Sequence, residues 1–175
     1  MVLASLVSRE KDKQEDVKTV KILYFIINDK SFTRDFFVAS MNASRDNSVK
    51  FRYVNEDGEW VTSEGNVKYI KELQDEPTVK IKMINGEVYY ASKKAIKKVR
   101  VVTHPTFVPI DESYPKTSSL YEAKSYLDKN IKFYSVYKEN ETKTTTSNVT
   151  KIEFATPTRE ENVFYTDTNV MYIVP

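Results

Sequence analysis

The chain has no cysteine, one histidine and three glycines in 175 residues. The first absence removes disulfides, thiol nucleophiles and thiolate metal sites together, and fits a reducing interior. A single histidine builds no multi-histidine metal centre. Three glycines leave almost no material for a glycine-rich phosphate loop. Also missing is any run of about 18 apolar residues, so no membrane-spanning helix and no membrane partner are expected. Val2 to Val7 is apolar, but it is too short for a signal-peptide core. No basic residue precedes it, and it runs straight into Arg9-Glu10-Lys11-Asp12-Lys13. The expected location is the cytoplasm or a virion, not export by a signal peptide. The sequons at Asn42, Asn140 and Asn148 then read as chance matches in a chain rich in Asn, Ser and Thr.

What is present is ample for a packed core: 40% apolar residues and 13% aromatics. The clearest local signal is a β-hairpin, Thr78 to Ser92, with Asn85-Gly86 at its turn. A type I′ turn needs positive φ at both central residues, and Asn-Gly supplies it. That turn pairs Met83 with Val88 and Ile81 with Tyr90 on an apolar face. It pairs Lys82 with Tyr89 and Lys80 with Ala91 on a mostly polar one.

Around the hairpin the chain divides into four stretches. Residues 1–16 read as a charged N-terminal arm. Residues 17–102 read as a β-rich core domain. Within it lie a strand over Lys18 to Asn28, covered on both sides, and a helix over Ser31 to Met41 capped by Ser31. A strand reading of that second stretch is nearly as good. Val49 to Val54 and Trp60 to Thr62 form a second hairpin around Asn55-Glu56-Asp57-Gly58. Val67 to Ile70 is a further strand, Ser92 to Ile96 a single helical or 3₁₀ turn, and Lys98 to Val102 the last strand. Residues 103–116 hold Pro105, Pro109 and Pro115 and read as a connector. Residues 117–175 read as a helix opened by the capping box Ser119-Leu120-Tyr121-Glu122, then a β-meander. Its apolar stripe is Leu120, Ala123 and Leu127. Glu139 to Asn148 reads as an exposed hairpin arm. No internal repeat stands out.

The order of short strands over residues 49–102 resembles SH3-like or Sm-like small barrels. The expected fold class is therefore α+β and β-rich: a small barrel of that kind or a twisted antiparallel sheet, with a C-terminal helix plus β-meander.

Catalytic material is sparse. His104 lies beside Pro105 in a loop, and no Gly-x-Ser-x-Gly elbow presents a nucleophile to it and Asp111. Asp111-Glu112 and Glu160-Glu161 are adjacent acids, which point apart and stay solvated, whereas a catalytic pair needs opposed positions. Asn55 to Gly58 lacks the alternating ligands of a calcium loop. No enzyme activity, cofactor or metal is expected.

Charge carries more. The net charge is only +2, yet residues 66–102 hold nine basic and four acidic side chains. On the predicted register Lys50, Arg52, Lys80, Lys82 and Arg100 project opposite the core with Tyr89 among them. Interleaved cations and aromatics suit a phosphate backbone with stacked bases. The same pattern suits a plain solvated face whose lysines prevent edge pairing.

Val67-Lys68-Tyr69-Ile70-Lys71-Glu72, followed by Val79 to Tyr90, resembles the β core of LytTR-type DNA-binding domains. Those carry a similar strand, hairpin and Asn/Asp-Gly turn, then a helix and a strand with Arg, His and aliphatics. Arg100-Val101-Val102-Thr103-His104 and Phe107-Val108 echo that end. The Arg-to-His spacing differs, the intervening helix is shorter, and the flanking thirds lie outside the likeness. No functional residue is carried over.

The leading expectation is a non-enzymatic structural or adaptor subunit of a larger assembly, of the kind found in phage head–tail or tail structures. Its partners would be other protein subunits, in a homo- or hetero-oligomer. Met171 to Pro175 reads as a strand suited to addition on a neighbour. The alternative is a small-barrel nucleic-acid-binding protein using the basic face.

Overall fold

The computed structural model describes residues 17–74, 76–93, 98–139 and 143–175. The predicted N-terminal arm and most of the helical turn expected at Ser92 to Ile96 lie outside them. The chain forms two compact units, the first ending at Lys97 and the second running from Lys98 to Pro175. The described fold is β-rich, with two mixed sheets and two short helices.

The first unit contains β1 (Val17–Ile27), β2 (Ser31–Thr33), α1 (Phe36–Ser44), β3 (Val49–Val54), β4 (Trp60–Thr62), β5 (Val67–Glu72), β6 (Thr78–Met83) and β7 (Val88–Ser92). The sheet order is β4-β3-β1-β7-β6-β5, with β2 also paired to β1. Strand β1 is internal, antiparallel to β3 and parallel to β7. Among the described residues no ladder joins β5 to β4: the sheet is mixed, and no closed SH3-like or Sm-like barrel is found.

The stretch read as either helix or strand contains both. Positive φ at Asn28 and Asp29 turns the chain so that Ser31–Thr33 pairs back on β1. The helix starts only after Asp35, whose carboxylate accepts from the Phe37 and Val38 amides at 2.8 and 3.3 Å. A short acid in extended backbone, with two amides in reach, outcompetes Ser31 as cap. Ala39 and Ala43 of α1 are buried and belong to one core cluster with Phe25, Phe51, Val79, Ile81 and Tyr89. The rings of Phe51 and Tyr89 meet edge to face at 5.1 Å.

The hairpin is present, but its register differs from the sequence reading by one residue. Ile81 pairs with Tyr89, Lys80 with Tyr90 and Lys82 with Val88. The Gly86 amide donates to Met83 at 3.1 Å and the Met83 amide to Glu87 at 2.9 Å, which encloses three loop residues. Only Gly86 has positive φ, +98°; Asn85 does not. Asn-Gly here builds a type I turn followed by a glycine bulge, not a type I′ turn. One residue of slip moves every partner side chain to the opposite face.

The second unit contains β8 (Val99–Val101), β9 (Thr106–Pro109), α2 (Leu120–Asp128), β10 (Phe133–Glu139), β11 (Lys143–Glu153), β12 (Asn162–Thr166) and β13 (Met171–Val174). Its order is β8-β13-β12-β11-β10-β9. The strand predicted at Lys98 to Val102 thus pairs here, parallel to β13, and not beside the hairpin. The proline-bearing stretch supplies β9, an edge strand, where Pro109 removes no ladder bond from a central position.

Helix α2 keeps half of its capping box. Ser119 Oγ accepts from the Glu122 amide at 3.2 Å. Glu122 does not reach back to Ser119. Its carboxylate accepts a hydrogen bond from Thr117 Oγ1 at 2.9 Å and lies 3.2 Å from the Tyr126 hydroxyl, which also donates to the Pro115 carbonyl at 2.6 Å. Ala123 and Tyr126 are the buried helix residues, with Leu120 and Leu127 partly covered. The segment read as an exposed hairpin arm belongs to the β10–β11 hairpin, whose ladder runs from Tyr134↔Asn148 to Glu139↔Lys143. Strand β13 is paired on both sides, to β12 and to β8, so it is not free for strand addition.

The two units share a plan that the sequence does not betray. Among the described residues each begins with a strand, carries one helix, and ends with a strand that lies parallel to the first.

Candidate nucleic-acid interface

The corrected register decides which side chains share the outer face of the first sheet. Val79, Ile81, Met83, Tyr89 and Ala91 point inward and are buried. Tyr89 is therefore no part of the basic face: it is only 2% exposed. Its neighbour Tyr90 takes the outer position, directly opposite Lys80. Lys80 also faces Lys71 on β5, and Lys82 faces Tyr69. Through β7 the first row continues from Tyr90 to Thr19 of β1. Two cross-strand rows result, Lys71-Lys80-Tyr90-Thr19 and Tyr69-Lys82-Val88. Lys21 follows Thr19 two residues on, on the same side of β1.

Exposure agrees with this assignment. Lys71, Lys21 and Thr19 are exposed, Tyr69 is 38% exposed, and Lys80, Lys82, Val88 and Tyr90 are partly so. Among the described residues no carboxylate lies within ion-pair distance of Lys21, Lys71, Lys80 or Lys82. Two acids of this segment, Glu72 and Glu87, are engaged elsewhere. Glu72 meets Lys93 at 2.9 Å. Glu87 sits on the Tyr89 side of the hairpin. It accepts from Asn85 Nδ2 at 2.7 Å and from the Tyr89 hydroxyl at 3.0 Å, with Lys18 at 3.7 Å.

Those contacts set the local ionisation. The Asn85 bond leads in holding the Glu87 carboxyl below its ordinary 4.5, against the opposing effect of burial. Burial, then the bond to Glu87, pushes the Tyr89 phenol well above its ordinary 10.0. Tyr89 therefore locks the hairpin to the core as a neutral donor and has no part in surface chemistry.

The other predicted site residues are dispersed. Lys50 is partly buried opposite Ile26, and Arg52 is 4% exposed opposite Tyr24. Arg52 Nη1 donates to Thr62 Oγ1 at 3.2 Å. Both lie in the β1–β3 half of the sheet. Arg100 is exposed on β8, in the second unit. Of the six predicted residues, Lys80 and Lys82 alone stand in the rows just described.

The sparse catalytic material is arranged as loop structure. His104 is exposed between β8 and β9. Asp111 closes its own turn, accepting from the Ser113 amide at 3.0 Å and the Ser113 hydroxyl at 2.7 Å, and these bonds lower its pKa. Glu160 is exposed as expected, but Glu161 is 1% exposed and so is not a solvated loop charge.

Tyr69, Lys71 and Tyr90 escaped the sequence reading. The signal was the Tyr89-Tyr90 doublet: either tyrosine satisfies alternation, so the turn alone decides which one faces out. Comparison with protein-family models, with curated proteins and with solved structures finds no match to this chain.

Proposed function

We propose that this chain is a non-enzymatic nucleic-acid-binding module that holds a phosphate backbone on the outer face of β5, β6 and β7. The observation that supports this most is a set of lysines, Lys71, Lys80 and Lys82 with Lys21 beside them, that no carboxylate neutralises among the described residues. Lys71 stands directly opposite Lys80. Like charges in that relation destabilise a sheet, and a bound polyanion relieves them.

The assembly-subunit reading, a phage virion component included, draws on composition and on the predicted arms. Two-sided pairing of β13 removes strand addition there as its mode. The nucleic-acid reading is preferred because it has a defined surface.

The test is binding of a labelled oligonucleotide followed by anisotropy over a salt series. Three or four lysine–phosphate contacts give a slope of log K against log salt of about −2 to −3. Lys80→Glu combined with Lys82→Glu abolishes binding. Absent or salt-insensitive binding overturns the proposal.

A further inference from the structure

The geometry points to single-stranded nucleic acid as the ligand of this face, with unpaired bases stacked on Tyr69 and Tyr90; this rests on the reading of the face as a phosphate-binding surface. The two tyrosines flank the lysines of β6 on either side. Tyr69 of β5 stands opposite Lys82, and Tyr90 of β7 stands opposite Lys80. A strand crossing the sheet meets ring, cation and ring in turn.

These rings differ from the other tyrosines of the unit. Tyr24, Tyr53 and Tyr89 each engage another aromatic ring, at 5.6, 5.5 and 5.1 Å. Tyr69 and Tyr90 have no aromatic partner and no side-chain hydrogen bond among the described residues. Tyr90 stands two residues from Val88, a partly exposed apolar side chain on the same face of β7. Outer-face tyrosines without structural employment, set among unneutralised lysines, have the chemistry of a stacking platform.

The shape suits a single strand better than a duplex. Inside paired nucleic acid the base faces are stacked on one another, and only edges show in the grooves. Among the described residues the broad sheet face presents no protruding helix to enter a major groove. Two strand spacings and a two-residue step place the tyrosine backbones about 12 Å apart. That is far more than the roughly 3.4 Å between stacked bases, so the rings take bases from an extended strand. Neither ring has a side-chain amide or carboxylate opposite it in the ladder to read a base edge, so recognition is tolerant of sequence.

The experiment compares four probes on the full chain: an oligothymidylate about twelve nucleotides long, an abasic phosphodiester of equal length, the corresponding duplex, and polyglutamate. The oligothymidylate binds about tenfold or more tightly than the abasic strand or the duplex. Tyr69→Ala and Tyr90→Ala each weaken oligothymidylate binding about tenfold and leave the abasic affinity unchanged, while Tyr69→Phe and Tyr90→Phe keep it. Equal binding of oligothymidylate, abasic strand and duplex, unmoved by the tyrosine variants, overturns the stacking inference and leaves the phosphate-binding reading intact. Binding of polyglutamate as tightly as any nucleic acid, or no binding of any probe, overturns both.

Discussion

Lys71 and Lys80 face each other across the β5–β6 ladder, two cations in directly opposed positions. Lys71→Glu turns that pair into an attractive one. The variant gains about 0.5–1 kcal/mol in stability at low salt. The gain shrinks as salt screens the charges, while affinity for polyanions falls. Thermal unfolding across a salt series, beside the binding curve, reads both changes.

The register makes adjacent tyrosines behave oppositely. Tyr89 packs on Phe51 and bonds Glu87, so Tyr89→Ala costs about 3–5 kcal/mol. Tyr90 lies on the outer face, and Tyr90→Ala costs under about 1 kcal/mol. Urea midpoints at unchanged slope decide it. A type I′ register would exchange the two results.

At Gly86 the cost of a side chain is purely conformational. No atom lies within 4 Å of the position its Cβ would take, but φ is +98°. Gly86→Ala therefore loses about 1–2 kcal/mol through backbone strain alone. Asn85 lacks positive φ, so Asn85→Gly relieves no strain there.

The stability of this protein depends on pH through identifiable groups. Glu87 and Glu153 both have folded-state pKa values below their ordinary 4.5, Glu87 chiefly through Asn85 and Glu153 chiefly through Lys151. Their contribution is complete above about pH 4.5 and disappears as pH falls through the lowered folded values. Tyr89 has the opposite sign. Its raised pKa favours the folded state below its ordinary 10.0, and that advantage is lost as pH climbs toward the folded value. Stability measured against pH is flatter on the acid side in Glu87→Gln and on the alkaline side in Tyr89→Phe.

Ser135 is fully buried on β10, and its hydroxyl has no hydrogen-bond partner among the described residues. Ser135→Ala removes an orphaned polar group at the cost of little volume. It stabilises the protein by about 1 kcal/mol, read as a raised denaturant midpoint.

The strands were legible wherever local chemistry determined them. The places of the Asn55–Gly58 and Asn85-Gly86 turns, the long first strand and the Ser119 cap follow from alternation, turn residues and hydroxyl placement. The failures came where two local solutions were degenerate and distant contacts chose. Asn85-Gly86 fits two turn types, and the Tyr doublet fits either face, so packing of Tyr89 against Phe51 settled the register. Ser31 and Asp35 both suit a helix cap, and pairing of Ser31–Thr33 with β1 left only Asp35. Nothing near Val99–Val101 in sequence announces a parallel partner at Met171–Ile173. The basic character of the candidate site was visible as composition. Its membership was not, because membership is register.

The shared plan of the two units has a kinetic consequence. Val17 pairs with Val88, 71 positions later, and Val99 pairs with Met171, 72 positions later. In each unit the hairpins assemble from neighbouring residues, but the parallel contact must wait for a segment made much later. That step carries the largest loop-closure entropy, so it sets the folding rate of its unit. On the ribosome the first unit completes its sheet once β7 has emerged, and the second stays open at β8 until β13 arrives.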